Sequence, residues 1–139
     1  MPEVKKERTG WRDLSLNDEH RKWGWNCPAI DLDHLFLEYD KGLAVCVIEY
    51  KHEFAPLQYP THPSYRALID LCNRADLPAF AVRYPSDFSW WKLTALNQQA
   101  KTKMPDKNNL SRIEWIKFLH RLRGYDLPDS SFSLDGIAL

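Results

Sequence analysis

Residues 30–39, IDLDHLFLEY, and residues 43–52, LAVCVIEYKH, decide the fold. Both stretches alternate with a period of two and are rich in Leu, β-branched and aromatic residues, the pattern of β-strands. Asp40-Lys41-Gly42 between them is a turn composition, with Gly at the left-handed position. Together they read as a β-hairpin. Side chains alternate faces along a strand, so Asp31 and Asp33 share a face with Leu35 and Leu37. By the same rule Glu49 and Lys51 share a face with Val45 and Val47, and His34 and His52 fall on the opposite one. A three-residue loop pairs Tyr39 with Leu43, which sets Asp33 opposite Glu49 and Asp31 opposite Lys51. A two-residue loop would set His34 opposite Glu49 instead. Gly at the third loop position favours the first register, as in a type I turn with a G1 bulge.

Outward from the hairpin, residues 11–25 carry a short helical signal. Asn17 or Asp18 is its expected cap, and Glu19 lies in its first turn, where a carboxylate suits the helix dipole. Residues 54–63 hold three prolines and read as a loop. Residues 64–75 place Leu68, Ile69, Leu71 and Cys72 near one side of a helix. Residues 80–84 and 89–96 read as strands. Trp90 and Trp91 therefore point to opposite faces of the second one. Ser111-Arg112-Ile113-Glu114 is a capping-box pattern opening a helix over 111–123, with Gly124 as its C-terminal cap. The tail after Pro128 is expected to lack order. The whole is an α/β chain, read as a single domain over 1–139 with its core at about 15–100.

The chemistry concentrates on the hairpin. Two carboxylates directly across a strand pair repel, and a cation between them removes the conflict. Carboxylate oxygens suit Mg²⁺ or Mn²⁺, which can activate water and offset charge on a phosphate. Lys51, two residues beyond Glu49, points the same way and can orient the water or stabilise the transition state. Asp31 is an alternative metal ligand, or a partner for Lys51.

An Asp on one strand and Glu49-Tyr50-Lys51 on the next resembles the PD-(D/E)XK nuclease superfamily, which includes restriction endonucleases and Holliday-junction resolvases. The stretch is similar to small nuclease-like proteins of phage or prophage origin. The resemblance covers roughly residues 15–100. It implies an αβββαβ core, a central mixed sheet flanked by helices, with the C-terminal helix as an addition. It implies a Mg²⁺- or Mn²⁺-dependent endonuclease acting on DNA, with Asp33, Glu49 and Lys51 at its centre. The superfamily's Glu on the first helix matches Glu19, with Glu7 as the alternative. Leu32 stands where a Pro often precedes the metal-binding Asp, and Gln58 is the nearest match to a Gln found in some branches. Small nucleases of this kind often act as homodimers. A catalytically inactive module of the same fold, binding DNA or protein, is the competing reading.

The remaining candidates have ordinary explanations beside functional ones. Arg83 and Lys92 lie on strands near the site and could meet phosphate, or simply be solvated. Lys101, Lys103, Lys107 and Arg112 offer a basic edge, or a solvated loop. Arg121 and Arg123 suit a helix C-terminus. Glu38 reads as a surface residue. The formal net charge is zero, so a DNA partner requires a local basic patch rather than a bulk excess. Cys27, Cys46 and Cys72 are odd in number and lack close spacing, which argues against a disulfide framework or zinc. They point to a reducing, cytoplasmic setting, with Cys46 and Cys72 buried. No apolar run approaches a membrane span.

Overall fold

The computed structural model describes residues 15–23, 32, 34–56, 61–124, 132–133 and 136–137. The chain divides into two units, Met1–Asp31 and Leu32–Leu139. In the first, Ser15–Lys22 form helix α1. Asn17 and Asp18, expected as caps, lie inside this helix, because Ser15 already begins it.

The second unit is an α/β structure around a five-stranded mixed sheet. Strands β1 (His34–Glu38), β2 (Leu43–His52), β3 (Ala79–Tyr84), β4 (Trp90–Ala95) and β5 (Asn109–Ser111) lie side by side in sequence order. Helix α2 (Pro63–Ala75) joins β2 to β3, which run parallel, and every other neighbouring pair is antiparallel. Helix α4 (Arg112–Leu122) follows β5 directly. Between α1 and α2 the described residues form two strands, β1 and β2. No described helix is long and apolar enough to cross a membrane.

Local chemistry sets the boundaries. Pro63 occupies the first turn of α2, where its missing N–H costs nothing. His62 Nδ1 accepts from Ser64 N, and Asp76 closes the helix in the left-handed conformation. At α4 the capping box forms as expected: Ser111 Oγ accepts from Glu114 N, and Glu114 Oε1 accepts from Ser111 N. Gly124, at φ +89°, follows the last turn.

The hairpin keeps the expected register by a different route. His34 pairs with Ile48, Leu35 with Val47 and Phe36 with Cys46, the register set by a three-residue loop. Nearer the turn, however, Leu37 pairs with Ala44 and Glu38 with Leu43, so the loop has four residues and Tyr39 belongs to it rather than standing opposite Leu43. Val45 is the extra residue, a β-bulge between the two registers. Gly42 adopts the expected positive φ of 64°.

Two helices cover the sheet's two faces. On one, Cys46, Ile48, Phe80, Val82 and Leu93 pack with Trp115 and Phe118 of α4. Rings reinforce this layer: Trp91 stacks on Trp115 at 5.7 Å and on Tyr84 at 5.5 Å. Phe88, held at φ +58° in the β3–β4 turn, stacks on Trp91 at 5.9 Å. On the other face, Val47 and Ala79 pack with Leu68 and Cys72 of α2.

Four short elements escaped the sequence reading. Helix α3 (Gln98–Lys101) and β5 are at most four residues long and bury one residue each, Ala100 and Leu110, too little to show a period. What creates α3 is Asn97, buried just past the end of β4. Its Oδ1 accepts from Ala79 N at 3.1 Å and Ala100 N at 2.9 Å, and its Nδ2 donates to Leu77 O at 2.8 Å. In the tail expected to lack order, β6 (Phe132–Ser133) and β7 (Gly136–Ile137) form an antiparallel pair.

Candidate functional site

Glu49 and Lys51 stand on the α2 side of β2, two and four residues beyond Val47, which packs under α2. Lys51 Nζ lies 3.3 Å from Glu49 Oε1. Both are half-buried, the Lys51 side chain 28% exposed and that of Glu49 16%. Low local solvation strengthens that attraction and also makes either charge costly alone. A half-buried carboxylate oxygen suits a hard divalent cation. Among the described residues no three His, Cys, Asp or Glu side chains come together as a metal site. Asp31 and Asp33, the expected further ligands, lie outside the described residues, as do Glu7 and Gln58. Glu19 is exposed on α1.

The register fixes what stands beside this pair. Lys51 pairs with Arg83 on β3, and Arg83 pairs with Lys92 on β4. Directly paired residues share a face, so three cations form a row across three adjacent strands. Arg83 is also a clamp: its Nη1 donates to the carbonyls of His52, Glu53 and Ala55 at 3.1–3.4 Å. That clamp holds the chain as it leaves β2, a role no local sequence signal announces. Lys92 is exposed.

His34 and His52 sit on the α4 side, as expected. His34 packs edge-on against Tyr50 at 4.9 Å, and His52 against Tyr84 at 5.7 Å. Trp91 faces α4 within the ring stack, so Trp90 shares its face with Lys92.

Glu38 corrects the sequence reading. It is buried rather than a surface residue, because Arg123 at the end of α4 pairs with it at 3.2 Å. Lys41 N also donates to its Oε2 at 2.8 Å. That backbone donor first, and Arg123 next, hold the Glu38 carboxyl below its usual range. The same pair gives Arg123 a specific partner beyond the helix dipole. Within the basic segment, Lys107 is paired with Glu114 at 2.8 Å, while Lys101, Lys103 and Arg112 are exposed. A groove of about 940 Å³ between this segment and α4 is lined by Met104, Lys107, Glu114, Phe118 and Arg121, on the side of the sheet away from Glu49.

The chain matches no family model, no curated protein and no solved structure.

Proposed function

We propose that the chain is a metal-dependent nuclease whose centre is Glu49 and Lys51, joined by Asp33. The observation that carries this reading is the Glu49–Lys51 pair, half-buried at 3.3 Å on a sheet face it shares with Arg83 and Lys92. In this reading Asp33 is the second carboxylate, and with Glu49 it would hold a divalent cation. Asp31 is the alternative second ligand. A Mg²⁺ or Mn²⁺ ion held there would polarise the phosphate and lower the pKa of water. Glu49 would hold such an ion, and Lys51 would hold the attacking water or neutralise the phosphate oxygen. Hydrolysis forms one bond from the water oxygen to phosphorus and breaks the bond to a sugar oxygen, which leaves with a proton. The first-helix carboxylate that the resemblance names, Glu19, is tested separately by Glu19→Gln. A homodimer acting on DNA in the cytoplasm, of phage origin, belongs to the same reading.

The test is cleavage of plasmid, single-stranded and branched DNA with Mg²⁺ or Mn²⁺. Cleavage lost in Glu49→Ala supports the reading. No cleavage by the wild type, or equal cleavage by Glu49→Ala, sinks it.

The Glu49–Lys51 contact itself favours one second reading. An ammonium already neutralises Glu49, so the pair can stand without a metal in a non-catalytic binding module. Calorimetric titration with Mn²⁺ separates the two: heat that disappears in Glu49→Gln supports the nuclease, and no heat in the wild type supports the module.

A further inference from the structure

We propose that the sheet face carrying Glu49 is a platform for an unpaired nucleic-acid strand, with Lys92 on its phosphates and Trp90 stacked on a base. This rests on the nuclease reading and deepens it by naming a single strand as the substrate.

Three features of the face lead there. First, Lys51, Arg83 and Lys92 are paired in series across β2, β3 and β4. Like charges placed directly opposite destabilise a sheet, and a bound polyanion removes that cost. Lys51 is partly neutralised by Glu49, and Arg83 is held by hydrogen bonds to three carbonyls, whereas Lys92 forms no ion pair among the described residues. Lys92 is therefore the cation of the row with most to gain from a phosphate.

Second, Trp90 precedes Lys92 by two residues and lies on the same face, partly exposed. Its neighbour Trp91 is locked among Tyr84, Phe88 and Trp115, but Trp90 has no ring contact among the described residues. Third, the apolar cluster under α2 is built on Val47 and Ala79, with Leu77 and Leu96 beside it. Thr94 and Asn109, which flank Lys92, are exposed, so this part of the face is open. A flat open sheet with cations and an aromatic ring binds single strands by backbone attraction plus stacking. A duplex keeps its bases stacked inside and cannot offer one to Trp90. The chain's zero net charge fits this too, since no bulk field draws it along duplex DNA.

The experiment is fluorescence anisotropy with a labelled oligothymidylate and a duplex of equal length, in EDTA so that nothing is cut. The single strand is expected to bind at least about 10-fold tighter than the duplex. Trp90→Ala should weaken single-strand binding by roughly 5- to 100-fold. Trp90→Phe should keep most of the affinity while losing part of the tryptophan quenching on binding, which guards against a folding defect in the alanine variant. Lys92→Ala should lower the salt dependence, the slope of log K against log salt, by about 0.7. Equal binding of single strand and duplex, unchanged binding by Trp90→Ala, or competition by polyglutamate as strong as by the oligonucleotide overturns the platform. If Trp90 governs binding but nothing is cut with Mn²⁺, the nuclease reading fails and the platform stands. If cutting depends on Glu49 and is indifferent to Trp90, the platform alone fails.

Discussion

Lys51 Nζ sits 3.3 Å from Glu49 Oε1, on side chains two positions apart in one strand and pointing to one face of the sheet. Removing the ammonium leaves a carboxylate that is largely out of water. Lys51→Met should therefore lower unfolding stability by about 1–2 kcal/mol, between the values for exposed and for buried pairs. The double variant Lys51→Met/Glu49→Gln should recover part of that loss in urea denaturation. On DNA, Lys51→Met alone should slow metal-dependent cleavage by about 100-fold if the lysine stabilises the reacting phosphate. A rate equal to wild type would remove Lys51 from the site.

Asn97 offers a second test, on the other side of β3. Its side chain satisfies two backbone donors and one acceptor that are otherwise buried. Asn97→Ala orphans all three and removes the cap of α3, for an expected cost of roughly 2–4 kcal/mol by chemical denaturation. Asn97→Asp should recover only part, because it keeps the acceptor and loses the donor to Leu77. A loss below about 1 kcal/mol in Asn97→Ala would show that the three groups find other partners.

How far the sequence revealed all this depended on the range of the interactions. Strand β2 was legible to its ends because ten residues of period two outweigh local noise, and α4 because its cap lies three residues from its partner. Glu38 was misread because its partner Arg123 is 85 residues away. The four-residue turn was misread because the bulge at Val45 has no composition of its own. Arg83 and Lys92 could be named as candidates, but their alignment with Lys51 needed the pairing of three strands.

The acid limb of stability should follow two carboxylates. Lys107 first, then the Ser111 backbone N–H, hold Glu114 down at about 2, and the Lys41 N–H and Arg123 hold Glu38 below its ordinary 4.5. Folded values below unfolded ones mean that their stabilisation is complete above the unfolded value. It is lost as the pH falls from there towards the folded value. Thermal melting temperature should thus decline from about pH 5 to about pH 2. Glu114→Gln, which keeps the capping box but not the Lys107 pair, should melt lower at neutral pH and decline less steeply. A decline as steep as wild type would mean that Glu114 adds nothing.

Cys46 on β2 and Cys72 on α2 belong to the core clusters on opposite faces of the sheet, and burial pushes the Cys46 thiol up to about 12 and raises that of Cys72. In a Cys27→Ser background, neither should react with a thiol reagent in the native protein near neutral pH. Both should react once urea unfolds the chain. Fast labelling of either one in the native state would contradict the packing of its layer.

The bulge at Val45 bears on how such a chain can change over generations. It takes up one residue between the turn and the site, so the turn can gain or lose length there without transmitting the shift. Deleting Val45 would join Ala44 to Cys46 with both still matched to Leu37 and Phe36, and Glu49 would keep its orientation. Deleting Tyr50 instead would swing Lys51 into the aromatic layer beside Trp115. Insertions and deletions are thus tolerated on one side of Cys46 and ruinous on the other, which makes the hairpin tip the place where descendants can vary while the chemistry stays still.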